Sequence, residues 1–179
     1  IKRLGKQEFE ISQSFLIDRI LALLELEHNG HDTNPHDKLT PAAPQILNKD
    51  LMGKPRKKSW KYRTAVGMLS YLQGHTRPDI SMPVHQTARF CNDPKLSHEQ
   101  AITRIGRYLL NSRDRGIKYK VNLSKGLECY IDADFAGGWD QTDPHDASNL
   151  MSRSGFVIKY ADCPIYWSSK LQTEIALST

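Results

Sequence analysis

Only three cysteines occur in 179 residues, Cys91, Cys129 and Cys163. The count is odd, the spacing is wide and no Cys-x-x-Cys pair exists. That excludes a disulfide framework, argues against a cysteine-built zinc site, and predicts reduced thiols in an intracellular compartment. No apolar run reaches the ~18 residues that a membrane helix needs, and no internal repeat is visible. The first residues, Ile1-Lys2-Arg3-Leu4, carry neither an initiator methionine nor the apolar core of a signal peptide. The chain is therefore expected to be a piece of something longer. No His/Asp arrangement accompanies Ser168, Ser169 or Ser178, so nucleophilic catalysis has no support. What is present is ordinary for a soluble protein: 39% hydrophobic and 25% charged residues. A disordered tail, a coiled coil and a collagen are excluded. A chain this long buries roughly 70% of its unfolded surface, so one large domain or two small ones fold without staples.

Charge is placed unevenly. The net charge is +5, with a pI near 9.1. Lys54, Arg56, Lys57, Lys58, Lys61 and Arg63 follow one another without an acid, with Trp60 and Tyr62 between them. A second basic stretch runs from Arg104 to Lys120, with Asp114 as its one acid. Between Lys125 and Arg153 the sign reverses: Glu128, Asp132, Asp134, Asp140, Asp143 and Asp146 occur with no Lys or Arg. A basic half beside an acidic patch is the pattern of a polyanion binder with a divalent-cation site. Two solvated faces on an ordinary domain give the same pattern.

Periodicity places helices first and strands later. Glu8 to Ile11 reads as a short strand. A helix capped by Ser12 or Ser14 follows, buries Leu16, Ile20, Leu23 and Leu24, and stops at Asn29-Gly30. His31 to Pro44 reads as a loop. A second helix spans about Ser59 to Gln73, buries Ala65, Val66, Leu69 and Leu72, and stops at Gly74. A third begins near Pro78-Asp79 and carries Ile80, Val84, Ala88 and Cys91; Pro83 within it predicts a kink or a later start. A fourth has Ser97 and Gln100 as its capping box. Its inner face is read as Ala101, Ile105 and Tyr108, and its outer face as Gln100, Arg104, Arg107 and Asn111. After Gly116 the period falls to two. Ile117/Tyr119/Val121 alternate with Lys118, Lys120 and Asn122, Leu127/Cys129/Ile131 with Glu128, Tyr130 and Asp132, and Phe156/Ile158/Tyr160 with Val157 and Lys159; Ile165 and Trp167 mark one more strand. The class is α+β, with a boundary near 115–126.

The strongest local candidate for chemistry is Tyr130-Ile131-Asp132-Ala133-Asp134-Phe135-Ala136-Gly137. Period two puts Asp132 and Asp134 on one face at a strand end, where two carboxylates hold a hard cation through oxygen. Paired cations of that kind activate water in phosphodiester cleavage. A solvated strand end entering a turn is the plainer reading. His28, His31 and His36, with Asp32 and Asp37, form a second cluster, which reads as exposed loop histidines. Lys54-Pro55-Arg56-Lys57-Lys58 reads as a nuclear import signal, a phosphate-contacting loop or a solvated run.

Several words in order carry a resemblance. They are Ile11-Ser12-Gln13, Tyr62 to Leu72 (YRTAVGMLSYL), Thr76-Arg77-Pro78-Asp79-Ile80, Arg104-Ile105-Gly106-Arg107-Tyr108-Leu109, Asp132 to Gly137 (DADFAG), Ser154-Gly155-Phe156-Val157, and Pro164 to Gln172 (PIYWSSKLQ) running into Ile175-Ala176-Leu177-Ser178-Thr179. Together they resemble the Pol polyprotein of copia-type long-terminal-repeat retrotransposons along nearly the whole chain. The resemblance implies that residues 1–115 are the end of a reverse transcriptase, with its last palm strands, thumb and connection helices. It implies that residues 116–179 open a ribonuclease H-like domain with antiparallel strands. Tyr130-Ile131-Asp132 begins like the polymerase Tyr-x-Asp-Asp turn, but residue 133 is alanine, so it is not that turn.

On this resemblance Asp132 is the first metal-binding and catalytic carboxylate of the ribonuclease H, with Asp134 as a weaker metal candidate. Mg²⁺ is the implied cofactor of the intact domain, and no small-molecule cofactor is expected. Lys54, Arg56, Lys57, Lys58, Lys61, Arg63, Arg104 and Arg107 are the expected phosphate contacts to an RNA–DNA hybrid. The other partner is the remainder of the polyprotein, with no membrane. The location is the cytoplasm or a virus-like particle, with the nucleus as an alternative. The 179 residues by themselves are expected to bind without cleaving. A catalytically dead nucleic-acid-binding remnant is the rival reading, and an interaction module without a nucleic-acid role is a second.

Overall fold

The computed structural model describes residues 1–26, 40–137 and 150–175. Asn29-Gly30, the His28/His31/His36 cluster with its aspartates, Asp140, Asp143, Asp146 and Ser178 lie outside these residues; the first helix, expected to run to Asn29-Gly30, already ends at Leu23 with Leu24 as its C-cap. Among the described residues the elements run β1 (Lys2–Gly5), β2 (Glu8–Ile11), α1 (Ser14–Leu23), α2 (Tyr62–His75), a 3₁₀ turn (Pro78–Ile80), α3 (Ser81–Ala88), α4 (Leu96–Asn111), β3 (Ile117–Lys120), β4 (Leu127–Ala133), β5 (Arg153–Tyr160) and β6 (Cys163–Leu171). Strands β1, β2 and β3 form one sheet in that order, and β4, β5 and β6 form another. The mixture is α+β. The chain divides into two compact units. One holds Glu10–Ile117 together with Ile1, and the other holds Lys2–Phe9 and Lys118–Thr179.

The first unit is built around a helical core. Ile17, Ile20, Leu21 and Leu24 from the α1 region meet Ala65, Val66, Leu69 and Leu72 of α2, and Ile80, Val84, Ile102, Ile105 and Leu109. The inner face of α2 is the one its spacing predicts. Its end is not: Gly74 lies inside the helix, which continues to His75 with Thr76 as C-cap. The N-cap of α1 is Gln13, whose side-chain oxygen accepts the Thr76 hydroxyl at 2.9 Å. Neither Ser12 nor Ser14 holds that position. Pro83 sits third in α3, in the first turn, where its missing N–H has no intrahelical acceptor to lose. The 3₁₀ turn ahead of it is what delays the helix start.

In the second unit β5 is central. Antiparallel pairing sets Asp132 opposite Gly155 and Val157 opposite Trp167. The β5–β6 hairpin turns through Ala161 and Asp162, with φ of 50° and 65°. Left-handed values at both central residues are what a two-residue hairpin turn demands of the strand twist. Phe9 and Tyr119 stack within this unit at 4.9 Å between ring centroids.

Candidate nucleic-acid interface and carboxylate pair

The basic run up to Lys61 lies in an irregular segment whose course the first turn of α4 fixes, and Arg63 stands in the first turn of α2. Asn48 C=O accepts His98 Nε2 at 2.7 Å. Ser97 Oγ donates to the Asp50 carboxylate. Leu96 N–H donates to Lys54 C=O at 2.9 Å. The Glu99 carboxylate accepts the backbone N–H groups of Lys57 (3.2 Å) and Lys58 (2.9 Å). The helix start is therefore capped differently from the Ser97/Gln100 expectation: His98 Nδ1 accepts the Lys95 backbone N–H at 2.8 Å. Ser97 is drawn to Asp50 instead.

This clasp sorts the basic residues. Arg56 donates to Trp60 C=O at 2.6 Å and Lys58 C=O at 3.2 Å, lies 4.4 Å over the Trp60 ring, and pairs with buried Glu99 at 3.4 Å. Arg63 donates to Cys91 C=O and to Asn92 Oδ1. Lys58 Nζ pairs with Glu25 at 2.6 Å, both side chains about half exposed. On α4, Arg104 donates to the Thr40 carbonyl (3.2 Å) and hydroxyl (2.9 Å). Lys54, Lys57, Lys61 and Arg107 are exposed and without a partner among the described residues. Of the eight cations expected to contact phosphate, four thus hold the fold's own groups and four face water.

A ninth cation, which sequence reasoning did not single out, is the most buried. Arg77 is 2% exposed. It grips the Asp79 carboxylate through Nε and Nη2, at 2.8 to 3.2 Å, and the Ser112 carbonyl and hydroxyl at 2.9 and 2.7 Å. Tyr108 donates to Asp79 Oδ2 at 2.6 Å. Burial works against the charge on Asp79, but the bonds from Arg77 and Tyr108 outweigh it and hold the carboxyl below its ordinary value. The Arg-Pro-Asp order around a helix start was the available signal.

In the second unit the two carboxylates have different surroundings. Asp132 is exposed on β4, in the alternate set with Glu128 and Tyr130. Asp134, just past the strand, donates its backbone N–H to the Arg153 carbonyl at 3.0 Å and accepts the Arg153 N–H on its carboxylate. Ala136, at φ 46°, donates its N–H to Ser152 Oγ at 3.1 Å. Asp134 therefore fastens the strand end. Among the described residues no group of three or more His, Cys, Asp or Glu converges as a metal site. Asp132 and Asp134 are both exposed, but two carboxylates with no third ligand converging on them do not make a two-ion centre, so the described residues alone do not fit one. No described helix is long and apolar enough to cross a membrane.

No family model and no solved structure matches the chain. Curated proteins do. The Retrovirus-related Pol polyprotein from transposon RE1 of Arabidopsis thaliana is 36% identical over 140 residues, which is 78% of this chain and 9% of that protein. The Pol polyprotein from transposon TNT 1-94 of Nicotiana tabacum is 29% identical over 169 residues, 94% of this chain and 12% of that protein. Secreted RxLR effector protein 161 of Plasmopara viticola is 34% identical over 122 residues, 68% of this chain and 80% of that protein. The chain spans about a tenth of the length of the Pol relatives it matches. The order of the motif words, the α+β elements that carry them and these identities agree: the chain belongs to the Pol polyproteins of copia-type retrotransposons.

Proposed function

We propose that residues 1–115 are the end of a reverse transcriptase and residues 116–179 the opening of a ribonuclease H-like domain. In this reading the first unit binds the phosphates of an RNA–DNA hybrid through Lys54, Lys57, Lys61 and Arg107. The observation that carries it is the division within the basic run. Arg56 and Arg63 bind the fold's own carbonyls, and the three lysines beside them remain in water along a segment fixed by α4. Fixed cations without protein partners suit a polyanion, whose counterions they displace. Such contacts set affinity and register and carry no choice of sequence. Asp132 is the carboxylate available to Mg²⁺ in a completed nuclease domain. The 179 residues bind without cleaving, because one carboxylate or two leave the charge of two ions uncompensated.

The test is a titration of the full chain against an RNA–DNA hybrid at several salt concentrations. Log affinity falls linearly with log salt, with a slope of about −0.9 per phosphate neutralised. The Lys54→Ala/Lys57→Ala/Lys61→Ala variant makes the slope shallower by about 2 to 3. Absence of binding, or binding indifferent to salt, refutes the reading. Mg²⁺-dependent hybrid cleavage that Asp132→Asn abolishes refutes the claim of binding alone.

A further inference from the structure

Inside the segment held by α4, one turn presents apolar side chains outward. Gly53 N–H donates to Asp50 C=O at 2.9 Å, which closes a four-residue turn with Leu51 and Met52 at its centre. Leu51 is 65% exposed and Met52 97%. The turn is fixed in shape. Asp50 has a φ of 53° and its carboxylate accepts the Ser97 hydroxyl. A Cβ at position 53 would stand 2.4 Å from Asp50 Cγ, so any larger residue there would push the Asp50 side chain out of its place. The flanks are fixed as well, by the bonds from Asn48 C=O to His98 and from Lys54 C=O to Leu96. A loose loop would fold a leucine and a methionine back onto apolar surface. This one keeps them in water, where they forgo the gain of burial.

Three cations flank the tip, against one acid. Lys49, Lys54 and Lys57 are exposed on its flanks, and the acid of the turn, Asp50, is engaged by Ser97. An apolar tip between cations complements a surface on which anionic phosphates border stacked, apolar bases. Leucine and methionine are among the side chains that enter base steps from the minor groove. Two side chains bury too little area to hold a lipid surface, whereas one or two suffice to part a base step. We propose that Leu51 and Met52 form a wedge that enters a base step of the nucleic acid held by the neighbouring lysines. This rests on the hybrid-binding reading above and adds to it a contact with the bases.

The experiment places 2-aminopurine in turn at successive positions of the DNA strand of a hybrid and adds the full chain, wild type or Leu51→Ser/Met52→Ser. With wild type, fluorescence rises at one or two positions as the base unstacks. The double variant loses that rise and binds about tenfold more weakly at every salt concentration, with an unchanged salt slope, because no phosphate contact is lost. Met52→Ser alone, at a nearly fully exposed position, gives a partial loss with an unaltered circular dichroism spectrum and melting curve. Wild-type binding without a fluorescence rise overturns the wedge and leaves the phosphate reading standing, as does a double variant that keeps the rise. A chain that binds no hybrid overturns both. Leu51- and Met52-dependent binding to anionic phosphatidylserine vesicles, with no rise on the hybrid, assigns the tip to lipid and overturns the wedge.

Discussion

Replacing Arg77 with leucine removes the centre of a buried polar network while keeping much of its apolar stem. The guanidinium is 2% exposed and gives five hydrogen bonds to two residues, Asp79 and Ser112. Its loss leaves the Ser112 carbonyl with the Arg115 N–H at 3.1 Å as its remaining donor, so that end contributes about 1 kcal/mol or less. The Ser112 hydroxyl still donates to Tyr108 C=O, so it contributes little to the loss. Removing one member of a buried ion pair costs about 3–5 kcal/mol. The Asp79 side chain is 37% exposed, and water recovers part of that. The expected loss is therefore about 3 kcal/mol, a large share of the ~5–15 kcal/mol that holds a domain together. With a urea m-value of about 2 kcal/mol/M, the unfolding midpoint falls by about 1.5 M. Trp60, buried in the same unit, reports the transition by fluorescence in a Trp139→Phe/Trp167→Phe background. Adding Asp79→Asn to Arg77→Leu removes the unpaired charge, so the double variant is about 1–2 kcal/mol more stable than the sum of the single losses. A loss below about 1 kcal/mol, or strict additivity, refutes the network as a fastening of the α4 end to the 3₁₀ turn.

Two further outcomes follow from single side chains. His98 is buried, stacks on Phe90 at 4.2 Å, and accepts the Lys95 N–H on Nδ1, so its proton belongs on Nε2, facing Asn48 C=O. Burial holds its pKa below the ordinary 6.5, and Lys95 adds to this, against the opposing bond to Asn48 and the charges of Asp50 and Asp93. The unfolded chain therefore takes up the proton first. The histidine's contribution is complete above about pH 6.5 and is lost as pH falls below it, by up to ~1.4 kcal/mol per pH unit. His98→Gln flattens this part of the stability profile measured by urea unfolding, and an unchanged slope refutes it. In the second unit, Asp134→Ala frees the Arg153 N–H and lowers stability by about 1–2 kcal/mol, whereas Asp132→Asn stays within about 0.5 kcal/mol. Equal melting temperatures for these two variants refute the distinction between a fastening carboxylate and a free one.

The sequence shows most clearly what depends on local spacing. Ala65, Val66, Leu69 and Leu72 form a stripe at helical period, and they are the inner face of α2. Period-two alternation likewise marks β4 and β5. Reading fails where a polar residue is inside. The inner face of α4 runs through His98, Ile102, Ile105 and Leu109, not through Ala101 and Tyr108. Two of its buried positions, His98 and Glu99, count as polar in any hydropathy pattern, and this moves the apparent stripe by a residue. What keeps them inside is partners some forty to fifty residues earlier, Asn48, Lys57 and Lys58. The same distance explains the cap of α4. Ser97 is a good capping residue by type, but Asp50 competes for its hydroxyl. At the carboxylates, the sequence brings Asp132 and Asp134 together by spacing, and the difference between them is set by Arg153, on another strand.

The basic run carries the general lesson about reading function from charge. Composition counts Arg56, Arg63, Lys54, Lys57, Lys58 and Lys61 as six equivalent cations. The fold separates them by side-chain chemistry. A guanidinium is planar, presents several donors at fixed angles and stacks on aromatic rings, so it can bridge carbonyls and still cover an indole. Arg56 does both, on Trp60, and Arg63 joins Cys91 to Asn92. An ammonium on a flexible stem is strongly hydrated and gains little from such a place, and Lys54, Lys57 and Lys61 stay in water. Lys58 stands between the two groups. Its pair with Glu25 is half exposed on both sides and contributes less than about 1 kcal/mol, so a phosphate can displace the glutamate at little cost. The arginines thus fix the shape of the segment, and the lysines on that fixed shape are what the proposed polyanion would meet.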